Sequence, residues 1–254
     1  MEKCMEFIEN PNLPERKAGY VFISCDAPAD ILKSLENMDI KPILVKRAKN
    51  ITTPVCSHAD ILIHHLGGKY FVCEPTIYDY IKESLNNTGA VLTRGLKAVC
   101  DTYPGDCLYN SARIGNFLFA NLKITDKTIL DYADDIYAKK ININQGYAKC
   151  SICVVNKNAI ITSDEKICKT AVKNGFDVLK IQSGGIEIKK YNYGFIGGAT
   201  GLLSKDIMAF CGNLKFHPDA LQIRQFLRNY NIYPENLSNT NLTDVGSIIA
   251  FAYK

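Results

Sequence analysis

The sequence predicts an α/β fold of five ββαβ units that close into a ring, a five-bladed β/α propeller with pseudo-fivefold symmetry. Three observations support this prediction. The chain repeats with a period of about 44 residues, each repeat has the same order of strands and helix, and the last unit is completed only by the N-terminal segment. A fixed period of this length indicates that each period folds as one supersecondary unit.

Tyrosines mark three of the five repeat starts. Tyr103, Tyr147 and Tyr191 are separated by 44 residues in both intervals, while Ser57 precedes Tyr103 by 46 residues and Asn241 follows Tyr191 by 50. We expect one domain whose units span residues 57–102, 103–146, 147–190, 191–240, and 241–254 together with 18–50.

Each unit is expected to contain two strands, a helix and a third strand. In the first unit, residues 60–65 and 69–73 read as strands joined by a glycine turn. Residues 75–85 carry apolar side chains at helical spacing, and residues 90–93 form the third strand. The first strands of the other units are expected at residues 107–110, 151–155, 195–199 and 244–251.

The fifth unit has one strand at the C-terminus and its remaining parts at the N-terminus. Residues 20–24 and 42–45 are predicted strands, and the helix between them, residues 26–38, places Ile31, Leu35 and Met38 on one face. Sharing a unit between both termini closes the array and removes exposed strand edges. The alternative is an ordinary α+β domain with accidental spacing.

Composition predicts a soluble, cytoplasmic protein that binds neither nucleic acid nor membrane. Apolar residues make up 47% and charged residues 22% of the 254 residues, the net charge is +4, and no basic block is present. The N-terminal segment is acidic where a signal peptide would be basic and then apolar. The ten cysteines are therefore expected to be reduced.

One cysteine pair matches the C-x-x-C pattern of metal and redox sites. Cys150 and Cys153 have no second Cys/His pair at zinc spacing, so buried thiols are the favoured interpretation. We expect no cofactor and no metal.

The segment Thr102-Tyr-Pro-Gly-Asp-Cys-Leu-Tyr-Asn-Ser-Ala-Arg-Ile-Gly-Asn116 resembles a segment of arginine deiminases. With its five units, the chain resembles the pentein, or guanidine-modifying-enzyme, superfamily over nearly its whole length. It is most similar to an uncharacterised bacterial family with that fold. The resemblance implies that Asp106 holds a substrate guanidinium group.

The other catalytic segments of the superfamily lack their functional residues in this chain. Its Glu-Gly-Gly-Asp segment falls on residues 147–150, its His-x-Asp segment on residues 191–194, and its nucleophilic cysteine near residues 244–247. The resemblance thus implies the fold without the standard Cys/His/Glu set. The superfamily also contains a non-catalytic translation factor, so a protein-interaction factor is the main alternative, with a protein as its partner.

A ring would bring the unit starts together near its axis. The equivalent positions are Asp60, Asp106, Cys150, Gly194 and Asp244, and the residues expected around them are Tyr103, Tyr147, Tyr191 and Asn192. Carboxylates that share one site repel each other unless a cation joins them. We therefore predict a small polar, cationic ligand in a central axial pocket. The alternative is that each aspartate only caps a turn.

A nucleophile shifted from its usual position is a second alternative. Cys150 is the one cysteine at a repeat start, and His58 lies at the same end of the first unit. A Cys–His pair can form a reactive thiolate. The protein would then be a divergent hydrolase or amidinotransferase acting on a C–N bond. The competing interpretation makes Cys150 a packing residue and His58 a surface turn residue.

Overall fold

Five three-stranded sheets with the same connectivity form the computed structural model, which describes residues 5–254. In each sheet the first two strands are antiparallel, a helix follows, and the third strand runs parallel to the second. Cys4 and the acidic start of the chain at Glu2 lie outside the described residues.

The strands are β1 (Tyr20–Ser24), β2 (Lys41–Val45), β3 (Ile63–Gly67), β4 (Tyr70–Cys73), β5 (Val91–Arg94), β6 (Ala112–Ile114), β7 (Phe117–Ala120), β8 (Lys139–Asn142), β9 (Cys153–Asn156), β10 (Ala159–Thr162), β11 (Asp177–Lys180), β12 (Ile186–Glu187), β13 (Thr200–Ser204), β14 (Ile207–Phe210), β15 (Tyr233–Asn236), β16 (Leu242–Thr243) and β17 (Ile249–Ala252). The helices are α1 (Ala29–Asn37), α2 (Ala59–Leu62), α3 (Tyr78–Ser84), α4 (Lys127–Asp135), α5 (Ala148–Ser151), α6 (Glu165–Lys173) and α7 (Ala220–Asn229). Short 3-10 turns lie at Pro75–Ile77 and Leu214–Phe216.

The strand orders match the predicted units. Four sheets are β3-β4-β5, β6-β7-β8, β9-β10-β11 and β13-β14-β15, and the fifth is β17-β1-β2. In the fifth sheet, the last strand of the chain pairs with a strand near its beginning. A small sixth sheet, in which β12 and β16 run parallel, was not expected from the sequence.

The predicted starts of the first strands were wrong in all five units. Residues Ala59–Leu62 form a helical turn and β3 begins only at Ile63; α5 likewise precedes β9. Strands β6, β13 and β17 also begin later than expected, after turns. All four residues of α2 are buried, and an apolar buried run does not distinguish a strand from a helical turn.

Aspartates begin two of the longer helices. The side chain of Asp126 accepts a hydrogen bond from the backbone N–H of Thr128 at 3.0 Å. Asp164 accepts one from Ile167 at 2.8 Å, within the first turn of α6. These bonds satisfy N–H groups that have no partner inside a helix.

None of the helices described in residues 5–254 is long and apolar enough to cross a membrane.

Aromatic side chains pack at the sheet that joins the two ends of the chain. The rings of Phe22 on β1 and Phe251 on β17 stack with centroids 4.3 Å apart. Phe71 of the neighbouring sheet meets Phe251 edge to face at 5.6 Å. All three side chains are fully buried, so this cluster ties the terminal strands to the first unit.

We predict that Phe251→Ala lowers the free energy of unfolding by about 3–5 kcal/mol, because it leaves a cavity between two sheets. Urea denaturation followed by circular dichroism would measure the loss. The matched control is Tyr233→Ala on β15, where the side chain is 65% exposed and the expected change is within about 0.5 kcal/mol. Equal effects of the two substitutions would contradict the prediction.

Candidate functional site

The segments that precede the first strands contact one another from unit to unit. The side chain of Ser111 hydrogen-bonds His64 at 3.1 Å, which joins the second unit to the first. Asn110 Oδ1 accepts hydrogen bonds from the backbone N–H of Lys149 at 2.7 Å and from that of Cys150 at 3.2 Å, which joins the second unit to the third. These bonds hold the helical turn α5 in place.

Backbone hydrogen bonds connect the remaining neighbours. The N–H of Gly198 donates to the carbonyl of Cys150 at 3.0 Å, and the N–H of Ser247 donates to the carbonyl of Gly198 at 2.8 Å. The N–H of Asp60 donates to the carbonyl of Gly246 at 3.1 Å, which brings the fifth unit back to the first. A β-carbon at residue 198 would lie 2.1 Å from an oxygen of Asp244, so only glycine fits there.

A buried polar cluster lies where these segments meet. Asp60 Oδ2 accepts hydrogen bonds from Cys150 Sγ at 3.1 Å and from Ser247 Oγ at 2.5 Å. Lys149 Nζ donates to Ser247 Oγ at 3.0 Å, and Asn110 Nδ2 donates to Cys150 Sγ at 3.0 Å. Asp60 is therefore the acceptor on which a thiol and a hydroxyl converge.

Asp244 forms a second buried carboxylate beside this cluster. Its two oxygens accept backbone N–H groups from Gly246 at 3.0 Å and from Phe195 at 2.9 Å. His58 Nδ1 lies 3.7 Å from Asp244 Oδ1, which is beyond hydrogen-bond distance. The backbone bonds hold the Asp244 carboxylate in place without neutralising its charge.

Asp106 joins the site through an aromatic ring. Tyr147 donates a short hydrogen bond to Asp106 Oδ2, and the Tyr147 ring packs 5.9 Å from that of Tyr103. Three buried polar atoms of this region have no partner in the described structure: Asp60 Oδ1, Asp106 Oδ1 and His58 Nδ1. Unsatisfied buried polar groups are rare, and residues 5–254 contain five others, at Thr53, His65, Glu74, Ser151 and His217.

A cavity of about 260 Å³ opens beside the cluster. Four of its walls are the rings of Tyr147, Tyr191, Tyr193 and Phe195. The Tyr147 and Phe195 ring centroids are 6.1 Å apart, and those of Tyr193 and Phe195 are 6.4 Å apart. The polar lining consists of His58, Cys150, Asn192 and Asp244.

Six of the nine residues predicted for the site line this cavity; they are His58, Tyr147, Cys150, Tyr191, Asn192 and Asp244. Asp60 lies behind the lining against Cys150, and Asp106 reaches it through Tyr147. Tyr103 is half exposed and does not line the cavity.

Five polar or aromatic contributors were not anticipated from the sequence. They are Asn110, Lys149, Tyr193, Phe195 and Ser247. Lys149 is next to Cys150 in the chain, but nothing in the sequence marks a lysine as buried. Ser247 has a φ of 69°, an uncommon conformation for serine that is visible only in the structure.

Burial shifts the protonation equilibria of this cluster. It raises the pKa of Asp244 to about 6, partly offset by the two backbone N–H groups. Burial also raises the pKa of Asp60, with the like charge of Asp244 adding to it and Lys149 opposing it. The pKa of the Cys150 thiol is raised well above its usual value by burial and by Asp60. Burial lowers the pKa of His58, so its imidazole is neutral.

The charges of the cluster are not balanced by its own side chains. Asp60 and Asp244 are both buried, Lys149 supplies one ammonium group, and His58 is neutral. When both carboxylates ionise, one negative charge is left without a partner. A proton or a cationic ligand can supply the missing positive charge. In residues 5–254, no three His, Cys, Asp or Glu side chains are grouped so that they could hold a metal ion.

We predict that Asp60→Asn gains stability over the wild type as pH rises from about 4 to 7. The raised pKa means that folded Asp60 binds its proton more tightly than the unfolded chain does, so ionisation costs stability above pH 4. Asparagine keeps one acceptor for Cys150 and Ser247 and removes the charge. Urea denaturation of both proteins at each pH gives the difference, in which contributions from the buried histidines cancel. A variant that becomes relatively less stable with rising pH would refute this prediction.

The comparisons with known proteins support the fold. The model of a family of unknown function, DUF6873, matches residues 22–249. No curated protein sequence matches the chain. Similar solved structures include an amidinotransferase from Microseira wollei in the saxitoxin biosynthetic pathway, with 13% identity, 91% of both chains covered and a TM-score of 0.57.

Two other similar structures are a second amidinotransferase and a deiminase. An inosamine-phosphate amidinotransferase from Streptomyces griseus is 9% identical, with 98% of this chain and 97% of that chain covered and a TM-score of 0.58. An agmatine deiminase from C. jejuni is 10% identical, with 91% of both chains covered and a TM-score of 0.53. At such low identity these likenesses establish the fold alone. The chain has the pentein fold, and it belongs to the DUF6873 family.

Proposed function

We propose that the five sheets form one domain and close into a five-bladed β/α propeller, with the aromatic cavity at one end of its axis. The hydrogen bonds described above link the first unit to the second, the second to the third, and so on back to the first. Strand β13 also packs beside both β9 and β17, the first strands of its neighbours. Closure would leave no first-strand edge exposed.

We propose that the protein binds a small organic cation, an amine or a guanidine, in this cavity. The observation that carries the proposal is that Asp244 lines a cavity with four aromatic rings and is one of two buried carboxylates, while the buried ammonium group of Lys149 donates to Ser247. Aromatic faces attract cations, most strongly where water is excluded. A bound cation would supply the positive charge that Lys149 alone does not.

Binding without the standard guanidine-modifying reaction fits these side chains best. Cys150 donates its proton to Asp60 in a hydrogen bond, and its pKa is raised rather than lowered. His58 lies against Asp244 instead of serving as a base for the thiol. A nucleophilic cysteine needs the opposite setting, one that stabilises its thiolate.

A divergent hydrolase that uses Cys150 is the second candidate. The observation that favours it is that Cys150 lines the cavity together with Asp244. A cation held by Asp244 would therefore lie near the sulfur atom, with Asp60 as a proton acceptor at 3.1 Å from it. This candidate requires release of ammonia or an amine from a guanidino compound, whereas simple binding does not.

We predict that Cys150 reacts with iodoacetamide at pH 8 at least tenfold more slowly than the exposed Cys100, because burial and Asp60 keep it a thiol. Peptide mass spectrometry after timed labelling would measure both rates in one sample. Labelling of Cys150 as fast as that of Cys100 would contradict the prediction and favour the hydrolase.

We predict that guanidinium and alkylammonium compounds raise the thermal unfolding temperature, while neutral analogues of the same size do not. At 100 times its dissociation constant, a ligand adds about 2.7 kcal/mol of stability. Replacing Tyr191 with leucine keeps an apolar wall but removes the aromatic face, so the dissociation constant should rise about 2- to 30-fold. Isothermal titration calorimetry would measure it.

The matched control is Tyr233→Leu, an exposed tyrosine outside the cavity, which should leave the dissociation constant unchanged. If no cation binds the wild type, the ligand proposal fails, and a non-catalytic protein-interaction factor becomes the better hypothesis. Binding that is equally strong for neutral analogues would also contradict the proposal.

A further inference from the structure

We propose that the ligand is an organic base without a carboxylate or phosphate group, an amine or guanidine on a short apolar body rather than an amino acid. This inference rests on the proposed cation binding and names the ligand class for the same cavity. It follows from which charges line the cavity, which charges lie just behind it, and how much space it offers.

The cavity offers no positive charge to an anionic group. Among residues 5–254, no lysine or arginine side chain lines it. The one lining side chain that can become cationic is His58, and burial keeps it neutral. Its Nδ1 atom lies 3.7 Å from Asp244, so a proton there would serve the aspartate rather than a ligand carboxylate.

The nearest buried ammonium group is already committed. Lys149 Nζ donates to Ser247 Oγ at 3.0 Å, and Ser247 in turn contacts Asp60. Lys149 does not line the cavity, and its charge lowers the pKa values of both Asp60 and Asp244. Drawing it toward a ligand would leave the two carboxylates with no cation at all.

An anionic group in the cavity would therefore meet only like charge. Asp244 lines the cavity and Asp60 lies behind Cys150, so a ligand carboxylate would face both without a partner. No ion pair would compensate for the hydration free energy that the carboxylate loses, and a buried charge is tolerated only when it is paired. Tyrosine hydroxyls and the Asn192 amide can donate hydrogen bonds but cannot neutralise a charge.

Size and wall chemistry describe the rest of the ligand. The cavity volume of about 260 Å³ lies just below the usual range for ligand cavities. Val55, Ile61 and Ile188 complete the walls beside the aromatic rings. Such walls gain free energy by covering methylene groups or a single ring. They offer little to a second polar group.

The test compares compounds that differ only by a carboxylate: agmatine with arginine, cadaverine with lysine, and tyramine with tyrosine. Isothermal titration calorimetry of the full chain at pH 7.5 should give at least one pair in which the carboxylate-free compound binds at least tenfold more tightly. Equal or tighter binding of the amino acids would overturn this inference and leave cation binding intact. If none of the six compounds binds, the proposed function is overturned, and this inference with it.

A charge-introducing variant supplies an independent check on the reason for the preference. Asn192 lines the cavity and is solvent-exposed, so Asn192→Arg can place a guanidinium at the cavity without burying it fully. We expect the preference within the binding pair to shrink at least threefold, with the gain on the amino-acid side. Asn192→Gln, which keeps the amide, should preserve the preference. A preference unchanged in Asn192→Arg would show that missing positive charge is not its cause and would overturn the argument.

Discussion

The constraint on which the centre of this molecule depends is the burial of two carboxylates next to a single ammonium group. Asp60 receives hydrogen bonds from Cys150 and Ser247, which come from the third and fifth units, while its own backbone N–H bonds Gly246. One residue thus connects the first, third and fifth units, through two side-chain hydrogen bonds and one backbone hydrogen bond. Removing the carboxylate would leave the Cys150 thiol and the Ser247 hydroxyl without this acceptor, which is costly inside a buried polar network.

The surplus negative charge and the aromatic walls work together. Charge alone would favour a proton or water, and an aromatic cavity alone would favour any small apolar molecule. In the proposed function, Asp244 at a cavity lined by Tyr147, Tyr191 and Phe195 would select for a compound that is both cationic and apolar. The backbone N–H groups that bind Asp244 keep its carboxylate in one position, so little reorganisation is needed when a cation enters.

The likeness to amidinotransferases and a deiminase establishes the arrangement of strands and helices and carries no information about the chemistry at the centre. With identities of 9–13%, the same five sheets are built from almost entirely different side chains. A packed sheet needs only apolar residues at the right period, whereas a reaction needs specific groups at specific distances. Residues 244–247, where the resemblance places the nucleophilic cysteine, include Ser247, which is fully buried and hydrogen-bonded to Asp60.

By itself the sequence determined the repeat, the order of strands and helix in each unit, and the completion of the fifth unit by the N-terminal segment. These follow from local periodicity: apolar side chains at Ile129 and Ala133 mark a helix face, and the strand of Ile249–Ala252 finds its partner in Tyr20–Ser24. The convergence of Asp60, Cys150 and Asp244 could also be expected, because equivalent positions of a repeat meet when the repeat closes.

Only the tertiary structure decided the rest. The segments before β3 and β9 can be helical turns because buried tertiary hydrogen bonds, such as that between Asn110 and Lys149, satisfy backbone groups there. Lys149 and Ser247 belong to the cluster, whereas Tyr103 does not line the cavity. Packing between units that are distant in the chain decides both placements. Whether a side chain is charged, neutral or unpaired depends on these long-range neighbours, and periodicity within one unit carries no information about them.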